Sequence, residues 1–126
     1  MENPFLNKLE HVQIPVRNLE ASVQWYTTNL DFRLQSKSDR NRQAFLTLSE
    51  GPMLMLWETQ DEGRANFTVN GQTMPVLLFN TTKIHELHQL LKSLKSEITT
   101  YQDEGFGWVL KFLDPDGNMW GAIQYK

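Results

Sequence analysis

The feature that most constrains this chain is that its pattern of apolar residues starts over halfway along. In the first half, Leu9, His11 and Gln13 alternate with Val12, Ile14 and Val16, the two-residue period of a strand with unlike faces. Asn18 then supplies a helix cap, and Leu19, Val23, Tyr26 and Leu30 fall along one side of the helix it would start. Strand-like runs follow at Phe32 to Lys37, Gln43 to Leu48 and Met53 to Glu58. The polar stretch Thr59 to Thr73 reads as a connection. The order then restarts: a strand from Met74 to Phe79, and a helix from Lys83 to Leu94 with Ile84, Leu87, Leu91 and Leu94 inward. Further strands are expected at Glu97 to Gln102, Trp108 to Leu113 and Met119 to Tyr125. The step from His11 to Leu19 equals that from Val76 to Ile84, and Gly51 to Met55 matches Gly117 to Gly121 without a gap. The chain thus reads as one α+β domain of two tandem βαβββ units, about 6–60 and 74–126, joined by a connection at about 61–73.

Composition narrows the rest. Without cysteine there is neither a disulfide framework nor thiolate chemistry. A net charge of -3 offers no basic face for nucleic acid. No apolar run reaches membrane-spanning length, and the acidic start Met1-Glu2-Asn3-Pro4 does not resemble a signal peptide. A cytoplasmic protein is expected, in which the Asn-x-Thr triplets at Asn66 and Asn80 are chance. "HELH" (His85 to His88) has its second histidine three positions on, where the zinc motif needs four, and both imidazoles are expected to face solvent. Asp61-Glu62 and Asp103-Glu104 are expected to be solvated loop charges.

Two stretches carry a family resemblance. "HVQIPVRNLEASVQWYTTNLDF" (His11 to Phe32) has Trp25-Tyr26 as its aromatic pair and Asp31 near the end of the helix, a residue that tolerates the left-handed conformation. "FLDPDGNMW" (Phe112 to Trp120) contains a tight turn in which Pro115 fixes φ and Gly117 takes positive φ. Together with the duplication, they resemble the vicinal oxygen chelate superfamily of glyoxalases, extradiol dioxygenases, and fosfomycin and bleomycin resistance proteins. The resemblance implies a cupped, mostly antiparallel eight-stranded sheet around a pocket, with helices outside. It also implies a divalent metal held by residues of the first and last strands of each unit. Here those positions are His11, Met55, Val76 and Gly121, with Glu58 a neighbour of Met55 on the opposite strand face. A borderline or hard cation needs several converging imidazole or carboxylate donors, so no metal and no other cofactor is expected. Gly121 is expected to leave open space where a carboxylate and its metal would sit.

Strand alternation then proposes a ligand-binding lining of His11, Gln13, Phe45, Met55, Trp57, Val76, Lys111, Gly121, Ile123 and Tyr125. Methionines and aromatics suit a small, largely apolar or aromatic organic molecule. Lys111 could meet an anionic group. By analogy with bleomycin resistance proteins, binding without chemistry is expected, in a homodimer with no nucleic-acid or membrane partner. The alternative is a lyase, isomerase or dioxygenase with His11 as metal ligand or general base.

Overall fold

In a computed structural model that describes residues 4–126, the chain divides into two compact units, one ending at Asp61 and the next beginning at Glu62. In the first, β1 (His11–Val16) leads into α1 (Leu19–Asn29), then β2 (Arg33–Ser38), β3 (Gln43–Thr47) and β4 (Met53–Glu58). The strands lie in the order β1-β4-β3-β2, with β1 parallel to β4 and the other pairs antiparallel. The second unit opens with a hairpin, β5 (Asn66–Val69) and β6 (Gln72–Pro75). It then repeats the plan as β7 (Leu77–Asn80), α2 (Ile84–Ser93), β8 (Ile98–Asp103), β9 (Gly107–Leu113) and β10 (Met119–Tyr125). Its four-stranded sheet has the order β7-β10-β9-β8, again with the first strand parallel to the last. The two tandem βαβββ units expected from the sequence are therefore present.

Register shows that the repeat is structural. In unit one Gln13 pairs with Met55, and Met55 with Phe45. In unit two Leu78 pairs with Gly121, and Gly121 with Lys111. Each helix covers one face of its own sheet. Beneath α1 lie Ile14, Val16, Ala44, Leu46, Leu54 and Leu56, none more than 2% exposed. Beneath α2 lie Leu110, Phe112, Trp120 and Ala122, with Phe79 stacked on Trp120 at 4.7 Å. Asp31, at φ 59, takes the left-handed turn out of α1, as its side chain permits.

The stretch read as a bare connection is ordered differently. Asn70 and Gly71 both have positive φ and form a two-residue turn between Val69 and Gln72, the geometry that Asn-Gly favours in hairpins. Met74 and Pro75 accordingly belong to β6, and the first strand of the second sheet begins at Leu77. Of the helix histidines, His85 faces solvent as expected and His88 does not. His85 is exposed but sits edge-on to Trp108 at 4.7 Å and hydrogen-bonds the Tyr101 hydroxyl. His88 is half-buried and stacks on Tyr101 at 3.6 Å; desolvation, then the Lys92 and His85 charges, push its pKa down. Asp103 is not simply solvated, since it pairs with Lys126 at 2.9 Å.

Both helices begin on a side chain borrowed from the last strand of their unit. Asn18 Oδ1 accepts from Ala21 N at 2.9 Å, and Glu58 Oε2 accepts from Leu19 N at 2.9 Å. In unit two Gln124 Oε1 accepts from Ile84 N at 2.8 Å, from the position that the repeat makes equivalent to Glu58. Glu58 also accepts two bonds from Arg42, at 2.9 and 2.7 Å, and Arg42 reaches on to Glu20 at 2.9 Å. Glu58 is thereby committed to the helix face and is not part of the opposite, helix-free face. Arg42 first, and the Leu19 N–H second, lower its pKa from 4.5 to about 2. A depressed carboxylate contributes stability that is complete above its unfolded value and disappears as pH falls through its folded value. Glu58→Gln is therefore expected to lower Tm by several degrees at neutral pH, and the gap to wild type should close between about pH 4.5 and 2. Thermal melts across that window check it; a gap that stays constant would refute the assignment.

Candidate functional site

The helix-free faces carry most of the residues that alternation selected. In unit one, Gln13, Met55 and Phe45 form one row across β1, β4 and β3. Met55 is 5% exposed, whereas Trp57, two residues along β4, is 38% exposed. The Trp57 indole N–H donates to Gln13 Oε1, which fixes the plane of the ring. The His11 imidazole stands edge-on to Phe45 with centroids 5.6 Å apart. Its Nδ1 lies 3.1 Å from Glu10 Oε2, a carboxylate neighbour from the residue just before β1. His11, Gln13, Phe45, Met55 and Trp57 thus share one face, largely aromatic with a single thioether and two polar tips.

Unit two brings Lys111, Gly121 and Ile123 to its helix-free face, with Leu78 beside Gly121. Val76 falls in the break between β6 and β7 and is 53% exposed. Tyr125 ends β10, two further pleats beyond Gly121 and so roughly 13 Å along the strand, beside Phe106. The open space expected at Gly121 is not there. A Cβ on Gly121 would lie 2.8 Å from Leu78 Cδ2, 2.9 Å from Leu78 Cγ and 3.3 Å from Pro75 Cγ. Leucine leans into the volume a side chain would use, and the hairpin proline closes it from β6. Glycine is needed here for close approach, as strand glycines often are. Sequence reasoning missed this exchange of sizes: unit one places Gln13 beside Met55, while unit two places Leu78 beside Gly121.

The β6 hairpin is anchored by the turn before β10. Asp114 Oδ1 accepts from Asp116 N and Asn118 N, both at 2.9 Å, while Oδ2 accepts from Asn118 Nδ2 at 3.0 Å. Asn118 Oδ1 in turn accepts from Ala65 N at 2.8 Å, and Met119 N donates to Ala65 O at 3.2 Å. The "DPDGN" motif is therefore a brace that ties the foot of the hairpin to the start of β10. It sets where Met74 and Pro75 sit against the site face.

A divalent metal does not suit the residues at the four family positions. They offer one imidazole and one thioether; valine and glycine offer no donor. Glu58 is engaged by Arg42 and Leu19, and the space at Gly121 is filled. Among the described residues, no three His, Cys, Asp or Glu side chains group so as to hold a metal ion. Among them too, no helix is long and apolar enough to cross a membrane.

The duplicated fold, the brace and the register define a class of small paired-unit proteins, and comparison with known proteins supplies the family. Residues 8–121 match the family model described as the Glyoxalase/Bleomycin resistance protein/Dioxygenase superfamily, and the chain belongs to that superfamily. Among solved structures it is similar to a glyoxylase/bleomycin resistance protein/dioxygenase domain from Frankia sp. EAN1pec. The two are 28% identical over 96% of this chain and 93% of that one, with a TM-score of 0.76. An integron cassette protein from the mobile metagenome of the Halifax Harbour sewage outfall is 25% identical over 94% and 99% of the two chains, with a TM-score of 0.74. TnmS3, an antibiotic binding protein from Streptomyces sp. CB03234, shares the fold at 17% identity over 98% and 100% of the chains, TM-score 0.76. No curated protein matches.

Proposed function

We propose that this chain is a metal-independent binding member of its superfamily that holds a small, largely apolar or aromatic organic molecule on a helix-free sheet face. The observation that carries this reading is the Trp57 surface. An exposed indole is hydrogen-bonded to Gln13 and lies on the same face as Met55 and Phe45, with no converging set of hard donors among the described residues. A preset aromatic plane loses little entropy on stacking, and thioether side chains adapt to ligand shape. TnmS3, described as antibiotic binding, is an instance of the same fold used for capture.

The test has two arms. After incubation with zinc, nickel, manganese and ferrous iron and then desalting, elemental analysis is expected to find no stoichiometric metal. In a thermal-shift panel of aromatic and aliphatic compounds, a true ligand at about a hundred times its Kd stabilises by about 2.7 kcal/mol, a rise of several degrees in Tm. Trp57→Ala is expected to abolish that rise. Stoichiometric metal that is lost in His11→Ala would overturn the reading.

One observation favours a second reading. Glu10 at His11 Nδ1 would orient the ring and leave Nε2 to take a proton from a bound substrate, the arrangement a general base needs. Turnover of any compound from the thermal-shift panel, lost in His11→Ala with folding intact, would favour an enzyme over a binder.

A further inference from the structure

Lys111 lies on the helix-free face of unit two, paired across the sheet with Gly121 on β10 and Thr100 on β8. It is half-buried, flanked along β9 by Val109, which is 8% exposed. Several basic side chains elsewhere in the chain meet carboxylate oxygen: Lys37 reaches Asp39 at 3.0 Å, Arg42 reaches Glu58 at 2.7 Å, and Lys126 reaches Asp103 at 2.9 Å. Lys111 does not. Its hydrogen-bond partner among the described residues is Met74 Sδ, at 3.7 Å, and no carboxylate lies within ion-pair distance. A thioether is a weak, uncharged acceptor, so an ammonium drawn partly out of water is left without compensation. Its position is also set from both sides. Met74 is delivered by the hairpin that the Asp114 brace anchors, and Leu78 fills the space over Gly121, the residue in register with Lys111.

Resting on the binding reading above, we propose that Lys111 is an anion anchor on the helix-free face of unit two and that the ligand is an organic acid: an apolar body carrying a carboxylate- or sulfonate-type group. The anion supplies the charge-assisted bonds that Met74 cannot, and the body lies on the apolar residues around it. Thr100, in register beside Lys111, adds a hydroxyl on the same row.

Two fluorescent probes of nearly the same aryl body separate charge from apolar contact: anilinonaphthalene sulfonate, which is anionic, and N-phenyl-naphthylamine, which is neutral. Wild-type protein is expected to bind the sulfonate more tightly than the neutral probe. Lys111→Met, which keeps the length and apolar stem, should weaken the sulfonate about tenfold and leave the neutral probe unchanged, whereas Lys111→Arg should retain the sulfonate. Urea midpoints of the variants, expected to match wild type, separate loss of charge from loss of fold. Equal sulfonate binding by wild type and Lys111→Met would overturn the anion anchor and leave the apolar binding reading standing. Failure of wild type to bind either probe would overturn both.

Discussion

Asp114→Ala is expected to destabilise the protein by about 3 kcal/mol, read as a lowered urea midpoint. The carboxylate is 4% exposed and accepts from two backbone N–H groups and from the Asn118 amide, itself fully buried. Truncation strips partners from three donors where water has little access, and each orphaned buried group costs about 1–3 kcal/mol. Relaxation of the turn recovers part of that sum. Asp114→Asn makes the argument sharper. Its remaining oxygen can serve Asp116 and Asn118 N–H, but its new amide meets the amide of Asn118. Asn118 cannot flip to oblige, because its oxygen already takes the Ala65 N–H. The asparagine variant should therefore lose roughly half as much as alanine, about 1.5 kcal/mol. Amide exchange at Ala65 should quicken in Asp114→Ala, since the brace is what fixes Asn118. The loss should reach function as well: a loosened hairpin releases Met74 from Lys111. An alanine variant with wild-type midpoint and unchanged exchange would show that the motif is not a brace.

Why some of this was legible beforehand and some was not follows from the range of the forces involved. Alternation and helical spacing are local, so β4 and β10 begin and end where the apolar pattern placed them, and Asn18 caps α1 as its side chain requires. Phe45 beside Met55, and Lys111 beside Gly121, followed from period and repeat alone. The hairpin carried a readable sign, since Asn70-Gly71 between Phe67-Thr68-Val69 and Gln72-Thr73-Met74 is a short-range hairpin signal. The polarity of the surrounding residues hid it. The repeat offset that relates Met55 to Gly121 also relates Glu58 to Gln124, but that both cap a helix is a long-range contact the offset does not reveal. Contacts between side chains distant in sequence were not legible either: Glu58 with Arg42, and Leu78 over Gly121, depend on rotamers chosen by packing. Nor was Glu10 beside His11, because neighbours in an extended chain normally point to opposite sides, and Glu10 lies just before the strand begins.

Gly121→Ala tests the least legible of these contacts. In an unobstructed strand the change would be mildly favourable, by about 0.4–1 kcal/mol, because alanine has less freedom to lose on folding. Here the new methyl would stand 2.8 and 2.9 Å from Leu78 and 3.3 Å from Pro75, distances at which something must move. Pro75 is buried and held in β6, so the leucine gives way. Overpacking in a closed core costs about 1–3 kcal/mol, but a half-exposed leucine can turn aside for less, so the clash cancels the entropic gain and the net loss stays under about 1 kcal/mol. Leu78→Ala alone should cost under about 1 kcal/mol, since Leu78 is 49% exposed and gives up little burial. Combined, the two changes should be far less damaging than their sum, because the alanine at 78 vacates the volume that the methyl at 121 requires. The coupling measured by urea unfolding of the four proteins should reach about 0.5–1 kcal/mol, above what distant sites show. Additive losses would mean that Leu78 does not occupy the Gly121 position, and the space would again be open to a ligand. Strong coupling has a consequence for the site as well. A carboxylate introduced by Gly121→Glu would have to displace Leu78 and would find Lys111 as its cross-strand partner, so it would form an ion pair before it formed part of a metal site.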